Sequence, residues 1–293
     1  MEGIRTASPI AFGLLTAAWL AVSGFECKDS NRAYDTPHLL ATINDDRIKE
    51  SSGLAPSQFQ DGVFYTFNDS GDQPRFFKFD RTGAVLQEFK LKKAENIDWE
   101  DMASATLKGK PYLFFGDIGD NAGKRKGITV YRVPEPTGNK AKTDETYKLI
   151  YPDEPRNAET LLVNPKNGDI TIVTKAAAHP SGVYFLPKPK NSGTYTLRKI
   201  GEITVDANMR LGKLITGGAW SPDGRFIVLR TYLAAYEFPG DDPLHWFEKE
   251  PNRVPLNLEM QGEGITYTLK GDAFITTSEG SPCPVSEIRI TND

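Results

Sequence analysis

Apolar and polar positions along the chain follow one short script, written five times. An acid- or Gly-marked segment enters an apolar run, a Gly turn follows, and a second apolar run ends in polar residues. The copies are ESSGLAPSQFQDGVFYTFND (50–69), WEDMASATLKGKPYLFFGD (99–117), AETLLVNPKNGDITIVTK (158–175), GGAWSPDGRFIVLRT (217–231) and GEGITYTLKGDAFITTSE (262–279). A period of roughly 45–60 residues means that each copy is one supersecondary unit that cannot bury its apolar face alone. The runs are short and strand-like, and Asp61-Gly62, Gly109, Asn167-Gly168, Asp223-Gly224 and Gly271 supply the turns between the first and second strands. The array this predicts is an all-β, five-bladed β-propeller, one sheet per blade.

A third strand follows each pair: Phe76 to Phe79, Val130 to Val133, Val183 to Leu186, Ala235 to Phe238 and Glu287 to Ile290. Fourth strands are expected at Val85 to Leu91, Tyr147 to Tyr151, Tyr195 to Ile203 and Val254 to Leu258. The fifth blade has no room for one before Asp293, while Leu39 to Ile43 has no blade of its own. The economical solution is that this early strand completes the last blade, which removes an open sheet edge and locks the ring. The alternative is six blades, the sixth drawn from residues 188–213, which offer only one clear strand.

Length and composition agree with this pattern. The chain has 293 residues, 39% of them hydrophobic and 26 of them Gly. Length alone suggests two domains, but propellers run long as one, so residues 24–293 are read as a single domain. Residues 1–23 read as an export signal: Arg5 gives a basic start, Ala11 to Val22 an apolar run, and Ala21-Val22-Ser23 a small-residue cleavage site. The run is too short to span a bilayer, and no later stretch approaches that length. The expected location is therefore periplasmic or extracellular. The formal charge of −4 argues against a nucleic-acid partner, which would call for a basic stripe. Cys27 and Cys283 lie near opposite ends of the expected mature chain. A disulfide between them would staple the closing seam and, in the chain-entropy model, stabilise by about 5 kcal/mol. Two free thiols, or a lipid anchor on Cys27, are the alternatives.

In an antiparallel blade, the start of the first strand and the end of the second lie at one end, beside the loop to the third. The script puts its polar residues there. Glu50, Glu100, Asp101, Glu159 and Glu263 mark the first positions; Asn68, Asp69, Asp72, Asp117, Asp120, Asn121, Lys175, Arg230 and Glu279 mark the second, with Arg75 and His179 in adjoining loops. The expected result is a mainly acidic funnel around the ring axis.

Three readings of the funnel stand side by side. The residues tie blades together, as structural ion networks often do. Or they hold Ca²⁺: Asn68-Asp69-Ser70-Gly71-Asp72 and Gly116 to Asn121 each gather hard oxygen ligands in a Gly-bearing turn, with Asp69, Asp72, Asp117, Asp120 and Asn121 as the ligand set. Those residue types also make ordinary turns. Or they catalyse, with Glu100, Glu159 and Glu263 as acid and base, Lys175 and Arg230 holding an anionic substrate, and His179 the one histidine on this end. His38 and His245 fall elsewhere, and zinc is disfavoured by so few dispersed His and Cys. Trp99 and Trp220 fall on or beside first strands, where core packing is the default, and Trp246 anchors an insertion.

The order ESSGL … NDSGD … DWEDM … GDIGDN … VYRVPEP … NAETLLV … GGAWSPDG … QGEGI … TTSEG resembles exported bacterial β-propellers of the WD-repeat-like or esterase-like-phytase type, across residues 48–281. More distantly, SSGL, DWEDM and GEGI resemble the repeat signature of SdiA-regulated propellers. The resemblance implies a secreted or periplasmic propeller with calcium sites that binds a small anionic or carbohydrate-like ligand or a protein partner. The phytase-like label implies phosphoester or ester hydrolysis at the acidic face. Asp69, Asp72, Asp117, Asp120, Glu100, Glu159 and Glu263 would then be its metal or acid–base residues, with Lys175 and Arg230 its anion holders. The chain departs from the pattern at Ser281 to Pro284, where Cys283 enters a loop.

Overall fold

The computed structural model describes residues 32–205 and 208–292. The expected leader and Cys27 lie outside the described residues. Two strands come first, β1 (Arg32–Tyr34) and β2 (His38–Ile43). Blade 1 holds β3 (Ser51–Pro56), β4 (Val63–Asn68), β5 (Arg75–Asp80) and β6 (Val85–Lys92). Blade 2 holds β7 (Trp99–Leu107), β8 (Lys110–Asp117), β9 (Ile128–Pro134) and, after β10 (Ala141–Lys142), β11 (Glu145–Ile150). Blade 3 holds β12 (Ala158–Val163), β13 (Ile170–Thr174), β14 (Ser181–Leu186) and, after β15 (Gly193–Thr196), β16 (Arg198–Ile203). A single helical turn, α1 (Arg210–Lys213), leads to blade 4: β17 (Ile215–Trp220), β18 (Phe226–Thr231), β19 (Ala235–Pro239) and β20 (Asn252–Val254). Blade 5 holds β21 (Gly262–Tyr267), β22 (Ala273–Ser278) and β23 (Cys283–Asn292).

The innermost strands β3, β7, β12, β17 and β21 each pack on the next, and β21 returns to β3, so five sheets form a closed propeller. β3, β12 and β21 are buried along their whole length, whereas the outer β11 alternates between core and solvent in its second half and β16 is largely exposed. Both faces of an inner strand meet neighbouring blades, so small and polar residues such as Ser51, Ser52 and Glu263 are buried along with the apolar ones. Five apolar seams result, one per blade interface. Between blades 1 and 2, for example, Phe67 and Phe76 pack on Trp99 and Phe115. Trp99 is thus a core residue, its Nε1 donating to the Glu95 carbonyl at 2.8 Å. Trp246 is buried against Phe238 and Phe247.

β2 pairs antiparallel with β23 from Ile43 opposite Cys283 to His38 opposite Glu287, the closing arrangement expected from the sequence. β1 extends it, pairing with the far end of β23. Cys283 is a free thiol buried in the seam between blades 5 and 1, with burial raising its pKa to about 11. The stretch expected to hold a single fourth strand from Tyr195 divides: β15 adds in parallel to β11 of blade 2, and β16 alone completes blade 3. Pro187 and Pro189 lie ahead of β15 and interrupt pairing with β14. β10 adds to β6 of blade 1 in the same way, so two outer edges are covered by chain from the following blade.

The closing strand is held by a buried polar knot. Glu237 of β19 accepts from Tyr34 Oη at 2.6 Å and Tyr267 Oη at 2.7 Å, and pairs with Arg32 at 2.9 Å. Removing one partner of a buried pair leaves the other charge uncompensated. Glu237→Ala is expected to cost about 3–5 kcal/mol, read as a lower urea midpoint with unchanged slope; a loss below 1 kcal/mol would show that the knot does not hold the ring closed.

A carboxylate-lined axial mouth

The register slips once in every innermost pair, at the same end of every blade. The slips fall between Ser51 and Leu54, Trp99 and Asp101, Ala158 and Thr160, Ile215 and Gly217, and Gly262 and Ile265. A bulge inserts a residue that the ladder does not pair and re-aims its side chain. Glu100, Glu159, Thr216 and Glu263 stand at the slips of blades 2 to 5, and Ser52 falls within that of blade 1. All five are buried. Ser52 and Thr216 donate to the Glu100 and Gly262 carbonyls, tying neighbouring blades.

The three glutamates are joined by acids from the ends of second strands and from a connector. Carboxylate oxygens of Asp69, Asp98 and Glu100 lie within 4.8 Å of one another. Burial raises the Glu100 carboxyl to about 12, with Glu159, Asp69, Asp98 and Glu263 adding repulsion. Burial likewise raises Asp69 to about 6, Glu263 with help from Glu279, and Asp98 against the opposing pull of Arg125. Burial pushes Glu159 to about 8 although Lys175 draws it down. Burial pulls the Lys175 ammonium down, but the Glu159 carboxylate and Tyr232 together hold it above its ordinary value. Lys175 Nζ reaches Glu159 Oε1 at 2.5 Å and Tyr232 Oη at 2.9 Å, and Tyr232 reaches Glu263 Oε1 at 3.4 Å. Glu159 Oε2 and Glu263 Oε2 are buried without a hydrogen-bond partner among the described residues.

Gly119 makes room for this crowd. A Cβ there would come within 2.3 Å of Glu100 Oε1 and 2.4 Å of Asp98 Oδ2. The next residue after Glu100, Asp101, is buried, and its Oδ1 accepts from Met102 N at 2.8 Å and its Oδ2 from Leu161 N at 2.9 Å, binding blade 2 to blade 3. A cavity of about 90 Å³, lined by residues such as Met102, Ser104 and Trp220, sits among the far ends of the inner strands.

The sequence-derived candidates divide accordingly. Asp69, Glu100, Glu159, Glu263 and Lys175 come together at the mouth, with Glu279 in electrostatic reach of Asp69 and Lys175. Asp72 is taken up by Arg75 at 2.8 Å and Asn68 at 2.7 Å. Asp117 pairs with Arg125 at 2.8 Å, and Asp120 accepts from the backbone of Lys124 and Arg125, which ties down their loop. Asn121 is exposed and bonded to Asn157. Arg230 is fully buried, donating to the Gly264 and Thr277 carbonyls and pairing with Glu259 at 3.0 Å, so it acts as an inter-blade tie. His179 is exposed with its Nδ1 at the Pro180 carbonyl. Asp98 and Tyr232 belong to the mouth and were not singled out from the sequence. Asp98 lies one residue ahead of the second copy of the script and Tyr232 one residue past the fourth, so aligning the five bulges would have drawn attention to both.

Fold and mouth together define a five-bladed β-propeller with carboxylates gathered on its axis. No family model matches the chain, and no curated protein matches it. Among solved structures it is similar to a glutaminyl cyclase from Myxococcus xanthus, at 15% identity over 88% of this chain and 97% of that one, with a TM-score of 0.54. It also matches a gluconolactonase from Xanthomonas campestris, at 12% identity over 88% and 95%, TM-score 0.47. At 15% identity the likeness to the cyclase is one of fold alone.

The role of Arg230 can be checked directly. Arg230→Met strands Glu259, only 4% exposed along its side chain, and is expected to cost about 3–5 kcal/mol in urea unfolding. A variant as stable as the parent would return Arg230 to the list of ligand-holding residues.

Proposed function

We propose that the axial mouth is a binding site for Ca²⁺ and, with it, a small ligand, in a protein exported from the cell. The observation that carries this is the convergence of Asp69, Asp98 and Glu100 within 4.8 Å, beside two buried glutamate oxygens that lack partners among the described residues. Carboxylates forced together in a poorly solvated place must either keep protons or gain a cation. The donors are all hard oxygens, with no Cys or His among them, which suits Ca²⁺ rather than zinc. The close approach of Gly119, where a side chain would collide with two of the three carboxylates, fits a cradle kept clear for an ion. Export rests on the apolar run at residues 11–22 and its basic start.

The mouth favours a second reading, calcium-dependent hydrolysis of phosphate or carboxylic esters. Glu159, whose carboxyl burial raises to about 8 against the pull of Lys175, is placed to exchange a proton with a departing alkoxide. Lys175 and Tyr232 beside it would hold an anionic oxygen. Turnover of a phosphoester or acyl ester that disappears in a folded Glu159→Gln variant would establish this reading; a broad panel without turnover would leave the binding module.

The cation makes a pH-dependent prediction. These carboxyls titrate higher in the folded chain than in the unfolded one, so the protons they keep favour the fold at acid pH. Without metal, that contribution is complete below the ordinary carboxyl range and is lost as pH rises through the Asp69 value of about 6 and beyond. The melting temperature in chelator should therefore fall between pH 5 and 8 for reasons local to the mouth. Ca²⁺ at about a hundredfold over Kd should restore about 2.7 kcal/mol, a rise of about 5–10 °C for a domain this size. Asp98→Asn should abolish most of the rise. An equal shift in that variant would place the ion elsewhere.

A further inference from the structure

A groove of about 850 Å³ lies away from the axis. It runs between the connector from blade 1 to blade 2 and the outer face of blade 2. Lys93 and Ile97 line it from the connector, Lys126 from the loop before β9, and Lys148 and Ile150 from β11. Thr129 and Lys148 are cross-strand partners, as are Lys148 and Thr194, and both threonines line the groove with Thr146. A row of hydroxyls therefore runs beside the lysines.

The groove gathers positive charge. The chain carries −4 overall, yet Lys93, Lys126 and Lys148 line this one concavity, and none of them makes an ion pair among the described residues. One acid, Glu95, shares the lining, and Arg125 is committed to Asp117. Ile97 and Ile150 are 56% and 40% exposed. The combination offers unpaired point charges, hydroxyls and exposed apolar surface along one concavity.

The geometry points to this groove as a binding site for an acidic oligosaccharide, a carboxylated sugar chain. Separated lysines match separated carboxylates, the threonine hydroxyls match sugar hydroxyls, and the two isoleucines offer apolar surface to sugar C–H faces. The observations disfavour other polyanions. Tyr131, the aromatic in the lining, is only 6% exposed, so no platform exists for nucleic-acid bases. The β11 edge is already paired with β15, so an acidic peptide has no open ladder to join there. A concave groove presents no flat face to a lipid surface. The inference stands independently of cation binding at the axis.

The test is fluorescence anisotropy with labelled hexagalacturonate on the full chain at low salt. Saturable binding is expected, weakening with added salt, and falling at least about tenfold in K93Q/K126Q/K148Q, with an uncharged sugar hexamer not bound. All three lysines are exposed, so the melt of the variant should match the parent; should it fall, Lys148→Glu alone carries the comparison. Absence of binding, equal binding by the lysine variant, or equal binding of the uncharged hexamer overturns the proposal. Tighter binding of poly-glutamate or of a DNA oligomer through the same lysines would overturn it in favour of that class.

Discussion

Strand pairing and axial position conflict at the start of every innermost strand, and the bulges there are the resolution. A propeller brings the first strands of its blades together at the ring axis, where the ladder has no further partner on the inner side. Extra residues at that point, Glu100, Glu159 and Glu263 among them, leave the pairing and meet one another. The crowding of acids is thus imposed by topology. It raises their pKa values, leaves two oxygens without partners among the described residues and creates demand for positive charge, which one lysine answers only in part.

The rest of the molecule makes that crowding tolerable. Five apolar seams hold the blades side by side, and the closing strand is fastened through β23 and the Glu237 knot. Beneath the mouth, Asp101 and Arg230 bind one blade to the next through backbone groups. These two buried charges look like site residues in sequence but are consumed by structure. Their neighbours Glu100 and Lys175 are not, because their partners are other side chains at the opening.

Much of the fold was legible in the chain. Strands buried on both faces read as apolar runs, Gly marked the turns, and the missing fourth strand of blade 5 pointed to closure by an early segment. The course of residues 188–203 was less legible, because edge strands such as β15 carry little apolar signal and their choice of blade depends on space rather than pattern. At the site, the end of the propeller and most of its acids could be named. The separation of Asp69 from Asp72, Asp117 and Asp120 could not, since whether an aspartate meets an arginine or another acid depends on loop paths that its local sequence does not encode. Asp98 was overlooked because it stands just outside the repeated script.

The central claim is that the axial acids hold protons which a divalent cation displaces. Calorimetric titration of Ca²⁺ near pH 7, repeated in buffers of different ionisation enthalpy, counts those protons. The account predicts release of about one proton or more per ion bound, rising as the pH is lowered towards 6. Binding with no proton release, or no binding at all, would contradict it.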